Sequence, residues 1–221
     1  MTKKSYKLEQ HGKIILLEFN SYTSMCKTLL RPQEYWEHPD FMGETFTVED
    51  YVDYIRVAEQ KEFKFNDWAG ACMPGEIFEP FFNRVGKFKK WTKEEKILLN
   101  DLKQFRDEKY FLVATKKGDT PTLVHEVAHA QFHLSPVYRK RVKSILKELK
   151  PEYKRVMSNS LRKDHYYAPF RYTDELHAYL IDGIDKYIPM CSYKISKEMK
   201  KECRKVGKKL RDNFWNNKVD L

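Results

Sequence analysis

The chain contains 221 residues, with 42 Lys and Arg against 32 Asp and Glu, so its formal net charge at pH 7 is +10. A chain of this length can bury one sizeable core or at most two small ones, which favours a single domain with a compact N-terminal subdomain. No segment approaches the roughly 20 apolar residues that a bilayer-spanning helix needs, and no signal peptide is recognisable. We therefore expect a soluble, cytoplasmic protein with no membrane partner.

The cysteines and the distribution of charge narrow the class of protein further. The four cysteines form no Cys-x-x-Cys pair, so we expect reduced thiols and neither a zinc knuckle nor a disulfide framework. Residues 139–218 carry 22 Lys and Arg against 10 Asp and Glu, a net charge of +12. Residues 31–60 carry 8 acidic against 2 basic residues, a net charge of −6. The charge is therefore unevenly distributed, with an acidic segment in the first part of the chain and a basic C-terminal part.

The first part of the chain predicts a mixture of strand and helix. Residues 13–19 (KIILLEF) form a short apolar run that is typical of a buried strand. Helices are predicted over residues 47–59 and 92–105. Each of these segments begins with a threonine that can cap a helix and repeats apolar residues at helical spacing. Residues 65–82 are rich in aromatic residues and punctuated by Gly and Pro, which predicts an ordered, packed loop. We interpret residues 1–105 as an N-terminal α+β subdomain whose role the sequence does not indicate.

A strand followed by a helix comes next along the chain. Residues 110–115 (YFLVAT) are aromatic and β-branched and predict the clearest strand of the sequence, with a turn at residues 116–119. Thr120 is placed to cap the helix that follows, and Pro121 falls at its first position, where the missing N–H costs nothing. A small sheet therefore precedes this helix. The exposed backbone of residues 110–115 could pair with an extended peptide.

The helix carries the sequence HEVAH. His125 and His129 are four residues apart, so their imidazoles project from one face and can meet a single tetrahedral Zn²⁺. Glu126 lies beside them and can serve as a base without ligating, which is the HExxH arrangement. The alternative is a chance match on a helix with surface histidines. The preceding strand, the proline near the helix start and the apolar residues at both x positions favour a zinc site.

A catalytic zinc site needs a third protein ligand. The pattern HExxHxxGxxH is not met, because Phe132 and Ser135 stand where its glycine and last histidine would be. We therefore expect the third ligand further along, and Glu175 is the best candidate. Asp174, its neighbour, could take the ligand role instead. The structural alternative is that both acidic residues only complement the dipole of a helix.

That helix is predicted over residues 172–183 (YTDELHAYLIDG). Thr173 is placed to cap its start and Gly183 to mark its end. HEVAH followed by such a Glu-x-x-Ala helix resembles the gluzincin zinc metallopeptidases, including their compact phage and bacterial versions. The resemblance covers residues 110–183, about a third of the chain.

The resemblance implies a zincin-like α+β fold, mainly helical, with a small sheet before the HExxH helix. It implies one zinc per chain, held by His125, His129 and Glu175, with Glu126 as the general base in the hydrolysis of a protein or peptide substrate. The departure is Tyr179, where the thermolysin-type pattern has aspartate, so the orienting partner of a zinc-bound histidine is not identified.

On this interpretation, residues 106–221 form a zincin-like metal-site region that ends in a basic helix and forms one compact unit. A side chain from the loop between the two site helices would help to stabilise the oxyanion. The sequence does not choose among His165, Tyr166, Tyr167, Arg171 and Tyr172.

The basic helix of residues 196–215 suggests a second class of function. Its apolar stripe consists of Met199, Cys203, Val206 and Leu210. The structural interpretation is that this stripe packs on the domain and the charged face is solvated. The functional alternative is a nucleic-acid-associated or partner-binding protein on a zincin-like fold, with a structural or vestigial metal site. We expect nucleic-acid binding to be weak, and acidic protein partners would also suit the charge. The sequence does not indicate the oligomeric state.

Overall fold

The computed structural model describes residues 4–58, 60, 62–65, 69–87, 91–164 and 167–217. It is an α+β structure that is mainly helical, with a small mixed sheet of four strands. The chain divides into two compact units, residues 1–123 and residues 124–221. The sequence placed the division after residue 105, ahead of the last strand.

The first unit contains all four strands of the sheet. Its regular elements are β1 (Tyr6–His11), β2 (Ile14–Phe19), α1 (Tyr22–Glu37), α2 (Val48–Ala58), β3 (Gly70–Pro74), α3 (Phe78–Lys87), α4 (Lys93–Leu102) and β4 (Phe111–Lys116). Helix α1 packs against β2, β3 and β4 and also contacts α3 and α4. The main core of this unit therefore lies where α1 meets the sheet, and it includes Leu17, Met25, Leu29, Met73 and Leu112.

The order of strands in the sheet is β1-β2-β4-β3. β1 and β2 form an antiparallel hairpin, β2 and β4 are parallel, and β3 and β4 are antiparallel. The strands predicted at residues 13–19 and 110–115 are confirmed as β2 and β4. Both edges of β4 are occupied by neighbouring strands, so the suggestion that this strand pairs with an extended peptide is wrong.

The two helices predicted in this unit are confirmed within the described residues. In α4, the hydroxyl of Thr92 accepts from the backbone N–H of Glu95, whose carboxylate accepts from the N–H of Thr92. Thr47 and Asp50 make the same reciprocal pair at the start of α2. Glu59, the last residue of that predicted helix, lies outside the described residues.

The loop predicted at residues 65–82 is wrong for most of its length. This stretch contains β3, a short 3₁₀ turn at Gly75–Ile77 and the start of α3, while residues 66–68 lie outside the described residues. β3 pairs only with β4 among the described strands, so Pro74 stands at the end of an edge strand, where a missing N–H is tolerated. Pro80 falls in the first turn of α3, where proline is also tolerated. Gly and Pro therefore lie within regular structure here.

The described part of the second unit is helical. Its elements are the C-terminal part of α5 (Thr120–Leu134), which crosses the division between the units, and then α6 (Pro136–Leu146), α7 (Pro151–Asp164), α8 (Tyr172–Asp182), α9 (Ile184–Tyr187) and α10 (Lys197–Asn216). Helix α8 contacts α6, α7, α9 and α10, and it is buried along most of its length. Within the described residues, no helix is both long and apolar enough to cross a bilayer.

Helices α8 and α10 allow three of the sequence predictions to be checked. Gly183 ends α8 with a φ of +113°, a conformation that glycine adopts readily, as predicted. The predicted cap at Thr173 is wrong, because α8 begins one residue earlier and Arg171 precedes it. The apolar stripe of the basic helix is confirmed, since Met199, Cys203, Val206 and Leu210 of α10 are all buried.

Candidate metal centre

The HEVAH segment lies in the part of helix α5 that belongs to the second unit. The carboxylate of Asp119 accepts from the N–H and the hydroxyl of Thr122, so Asp119 caps the helix and the predicted cap at Thr120 is wrong. Glu126 and His129 are buried and His125 is partly buried. His125 and His129 lie one turn apart on α5, as the helical spacing of the motif predicts.

The two histidines of α5 converge through the same ring nitrogen. Nε2 of His125 and Nε2 of His129 lie 3.1 Å apart. Two nitrogen ligands of one tetrahedral zinc, each about 2.0–2.1 Å from the metal, are separated by about 3.3 Å. The separation of the two nitrogens therefore suits ligands of a common metal ion.

The other ring nitrogen of each histidine faces a carboxylate of α8. Nδ1 of His125 lies 3.1 Å from Oδ2 of Asp182. Nδ1 of His129 lies 2.8 Å from Oδ1 of Asp174, although the angle of this contact is poor for a hydrogen bond. A carboxylate on Nδ1 places the proton there and leaves the lone pair on Nε2. In that tautomer, Nε2 of each histidine has a lone pair available to a metal ion.

Glu175 of α8 approaches the same two nitrogens. Its Oε1 lies 3.6 Å from Nε2 of His129, and a ligand atom from each of His125, His129 and Glu175 falls within 4.8 Å of the other two. Asp174 contacts the opposite nitrogen of His129. The geometry therefore favours Glu175 over Asp174 as the third ligand of a metal and gives Asp174 the part of orienting partner.

Arg171 holds both of these acidic residues. Its Nη1 donates to Oδ2 of Asp174 over 2.7 Å, and its Nη2 donates to Oε1 of Glu175 over 2.8 Å. Arg171 is only 5% exposed. His177 also contacts Asp174, because its Nδ1 lies 2.7 Å from the backbone carbonyl oxygen of Asp174. The other ring nitrogen of His177, Nε2, lies 3.2 Å from the hydroxyl of Tyr138. The start of α8 is therefore fixed by a buried polar network.

The electrostatics of the centre favour positive charge at the histidine nitrogens. Four carboxylates surround them, those of Glu126, Asp174, Glu175 and Asp182. Burial acts to lower the pKa of His125, but the hydrogen bond to Asp182 and the neighbouring carboxylates raise it to about 9. Burial raises the pKa of Glu175, and Arg171 offsets part of that rise. Burial would also raise the pKa of Asp174, but His129 and Arg171 lower it well below its usual range.

Glu126 lies at the centre without occupying a ligand position in the His125, His129 and Glu175 group. It is 8% exposed, and one of its carboxylate oxygens lies within 4.8 Å of a ring nitrogen of His129. Its charge also acts on His125 and on Tyr179. The carboxylate therefore lies beside the histidines, where a general base for a group bound near them would have to lie.

The structure places three of the five candidates for an oxyanion donor. Arg171 donates to Asp174 and Glu175, as described above. Tyr167 interacts with Glu175 and Tyr179, and the hydroxyl of Tyr172 is buried with no hydrogen-bond partner among the described residues. His165 and Tyr166 lie outside the described residues. The hydroxyls of Tyr167 and Tyr172 stay candidates for this role.

Sequence reasoning missed the partner of His125. Asp182 lies seven residues after Glu175, which is two helical turns along the same face of α8, so helical spacing could have indicated it. Tyr179, at the position where the thermolysin-type pattern has aspartate, packs its ring against His125 with centroids 5.1 Å apart. The spacing of Arg171 to Asp174 and Glu175, three and four residues, is likewise that of ion pairs on a helix.

The donor set of the centre suits zinc. Two imidazole nitrogens and one carboxylate oxygen are the ligands of a common class of catalytic zinc site. Oε2 of Glu175 is buried and accepts no hydrogen bond from the described residues, so a cation would satisfy a polar atom that the protein leaves unpaired. Comparison of the chain with protein-family models, curated proteins and solved structures found no match. Any function must therefore be inferred from the residues of the chain itself.

Proposed function

We propose that this protein is a zinc-dependent metallopeptidase with a zincin-like metal-site region, one zinc per chain and a protein or peptide substrate. His125, His129 and Glu175 are the metal ligands and Glu126 is the general base. The observation that carries the proposal is the convergence of the two Nε2 atoms, 3.1 Å apart, on a buried carboxylate. We place the protein in the cytoplasm, of a bacterial host if it is phage-encoded.

The facing nitrogens are the strongest support for a metal and against a chance HExxH match. If both Nδ1 atoms carry protons for Asp182 and Asp174, two lone pairs oppose each other across 3.1 Å. Such an arrangement is repulsive unless a proton or a metal ion lies between the nitrogens. Surface histidines placed by chance on a helix have no reason to meet carboxylates on both Nδ1 atoms.

The residues of the centre can divide the chemistry of peptide hydrolysis among them. Zinc, when bound, acts as a Lewis acid and lowers the pKa of a bound water towards about 7. Glu126 takes a proton from the attacking water and returns it to the leaving amine. Asp182 and Asp174 hold the imidazoles in the tautomer that ligates, and Tyr167 or Tyr172 donates to the oxyanion.

The alternative is a partner-binding or nucleic-acid-associated protein in which the metal is structural. Two observations favour it, the deep burial of the ligands, with His129 2% and Glu175 1% exposed, and the exposed lysines of α10. Structural zinc sites are closed to solvent, whereas catalytic sites keep one position for water. His125 is partly exposed, which favours access to the centre and hence the peptidase.

Metal analysis tests the proposal. We expect the purified chain to contain about one zinc, and both His125→Ala and His129→Ala to lose it. His11→Ala is a matched control, because His11 lies in β1 in the first unit. Zinc that is bound equally by the wild type and both variants would contradict the assignment of ligands.

A further inference from the structure

We propose that Arg171 is a positioning residue that assigns different roles to two consecutive carboxylates, directing Asp174 to Nδ1 of His129 and Glu175 to the metal side of the same ring. This inference rests on the proposed metal site. It concerns a residue that the sequence identified only as one of several oxyanion donors.

The assignment follows from how the three side chains meet one imidazole. Asp174 Oδ1 lies 2.8 Å from Nδ1 of His129, and Glu175 Oε1 lies 3.6 Å from Nε2 of that ring. Adjacent residues of a helix point about 100° apart, so two neighbouring carboxylates reach opposite edges of one ring only if each is held in place. Arg171 donates to one oxygen of each from two different nitrogens.

The chemistry of the guanidinium fits this task. Arginine presents its donors in a rigid planar fork, so two bonds fix the positions of both acceptors, whereas a lysine ammonium is a point charge on a flexible stem. Asp174 and Glu175 are buried like charges, and their repulsion would otherwise drive them apart or neutralise one of them. The position of Arg171 three and four residues earlier brings the fork over both carboxylates.

The ion pair of Arg204 serves as a comparison for the contacts of Arg171. Arg204 also makes two hydrogen bonds, but both go to the single carboxylate of Asp185 in the same unit, at 3.0 and 2.9 Å. That pair is exposed and lies outside the cluster of metal-ligand candidates. Arg204→Met is therefore a control for Arg171→Met, because each substitution removes one guanidinium that makes two hydrogen bonds to carboxylate oxygens.

The experiment measures zinc affinity by competition with a chelating dye, on the full chain, for wild type, Arg171→Met, Arg171→Lys and Arg204→Met. We expect Arg171→Met to bind zinc about 10- to 100-fold more weakly, the range typical of losing a partner that orients ligands. Arg171→Lys should recover only part of this loss, and Arg204→Met should bind like wild type. Wild-type affinity in Arg171→Met, or full recovery in Arg171→Lys, would overturn the inference.

Crystal structures of the metal-free variants separate this inference from the proposed function. With Arg171 replaced, the carboxylates of Asp174 and Glu175 should leave their places at the two edges of His129. If wild type binds no zinc, the proposed function fails, and these structures still decide whether Arg171 positions the carboxylates. Carboxylates that stay in place in Arg171→Lys and Arg171→Met would refute it. If Arg171→Met does not fold, Arg171→Lys supplies both measurements.

Discussion

Nε2 of His125 lies 3.1 Å from Nε2 of His129, while the Nδ1 atoms of the two rings face Asp182 and Asp174 of another helix. A carboxylate thus lies beside Nδ1 of each histidine, and the Nε2 atoms of the two rings face each other. The arrangement relates two segments of the second unit that are about 50 residues apart in sequence.

The first prediction concerns the carboxylates behind the histidines. Asp182→Asn and Asp174→Asn should each lower zinc affinity by about 10- to 100-fold, because the tautomer and orientation of a ligating imidazole depend on its partner. Competition with a chelating dye measures the change. Asp185→Asn is the control, since Asp185 pairs with Arg204 at the surface. Equal affinity in all three variants would show that Asp182 and Asp174 do not orient metal ligands.

The second prediction concerns the removal of metal. The proposed zinc site forms only in the folded chain, so excess zinc should raise the melting temperature and a chelator should lower it. The expected stabilisation is about 4 kcal/mol at 1,000 times the dissociation constant. The measurement is thermal unfolding with zinc or with chelator. The His125→Ala, His129→Ala double variant should melt at the same temperature in both conditions. A shift of equal size in that variant would place the zinc elsewhere.

The third prediction concerns the packing of α10 on α8. A Cβ added at Gly207 would lie 2.5 Å from the backbone oxygen of Leu180. Gly207→Ala should therefore lower the free energy of unfolding by about 1–3 kcal/mol, as overpacking does, although alanine normally stabilises a helix relative to glycine. Denaturant unfolding measures the change.

Gly86→Ala is the control for this change, because the added Cβ meets Trp91 at 3.4 Å, an ordinary contact, within α3. It should be neutral or stabilising by up to about 1 kcal/mol. A Gly207→Ala variant as stable as wild type would mean that α10 and α8 are further apart than described. Leu180 lies between Glu175 and Asp182, so zinc affinity should fall together with stability.

The fourth prediction concerns the basic C-terminal part of the chain. The apolar stripe of α10 is buried, and two of its basic residues pair with acidic neighbours, Arg204 with Asp185 and Lys209 with Glu148. We therefore expect only weak nucleic-acid binding, with dissociation constants above about 10⁻⁶ M at physiological salt and a steep loss of affinity as salt rises. Fluorescence anisotropy of labelled DNA and RNA measures it. Tight, sequence-selective binding would favour the alternative function.

Local signals in the sequence predicted the elements that depend on local hydrogen bonds and periodicity. The capping box at Thr92 and the glycine that ends α8 follow from contacts within a few residues, and strand β2 was recognisable from its run of apolar residues. The stretch containing β3 was misjudged because its character depends on a partner strand about 40 residues away. The interior position of β4 was missed for the same reason.

The residues of the candidate site likewise differ in how well the sequence alone predicted them. His125, Glu126 and His129 could be predicted as site residues because they lie within little more than one helical turn and form the HExxH motif. The sequence favoured Glu175 as the third ligand and left Asp174 open as the alternative, since the choice depends on which edge of His129 each carboxylate meets. The position of Asp182 two turns after Glu175 could have been predicted from helical spacing, but its pairing with Nδ1 of His125 depends on how α8 packs against α5.

The measurement that tests the central claim most directly is the activity of Glu126→Gln beside its zinc content. The substitution keeps volume and hydrogen bonding but removes the base, so zinc binding and folding should be nearly unchanged. Cleavage of denatured casein, if the wild type performs it and a chelator blocks it, should fall by at least about 10²–10⁴-fold. Glu152→Gln, at an exposed position in α7, is the control and should cleave like wild type. Cleavage by Glu126→Gln near the wild-type rate would contradict the mechanism, whatever metal the protein contains.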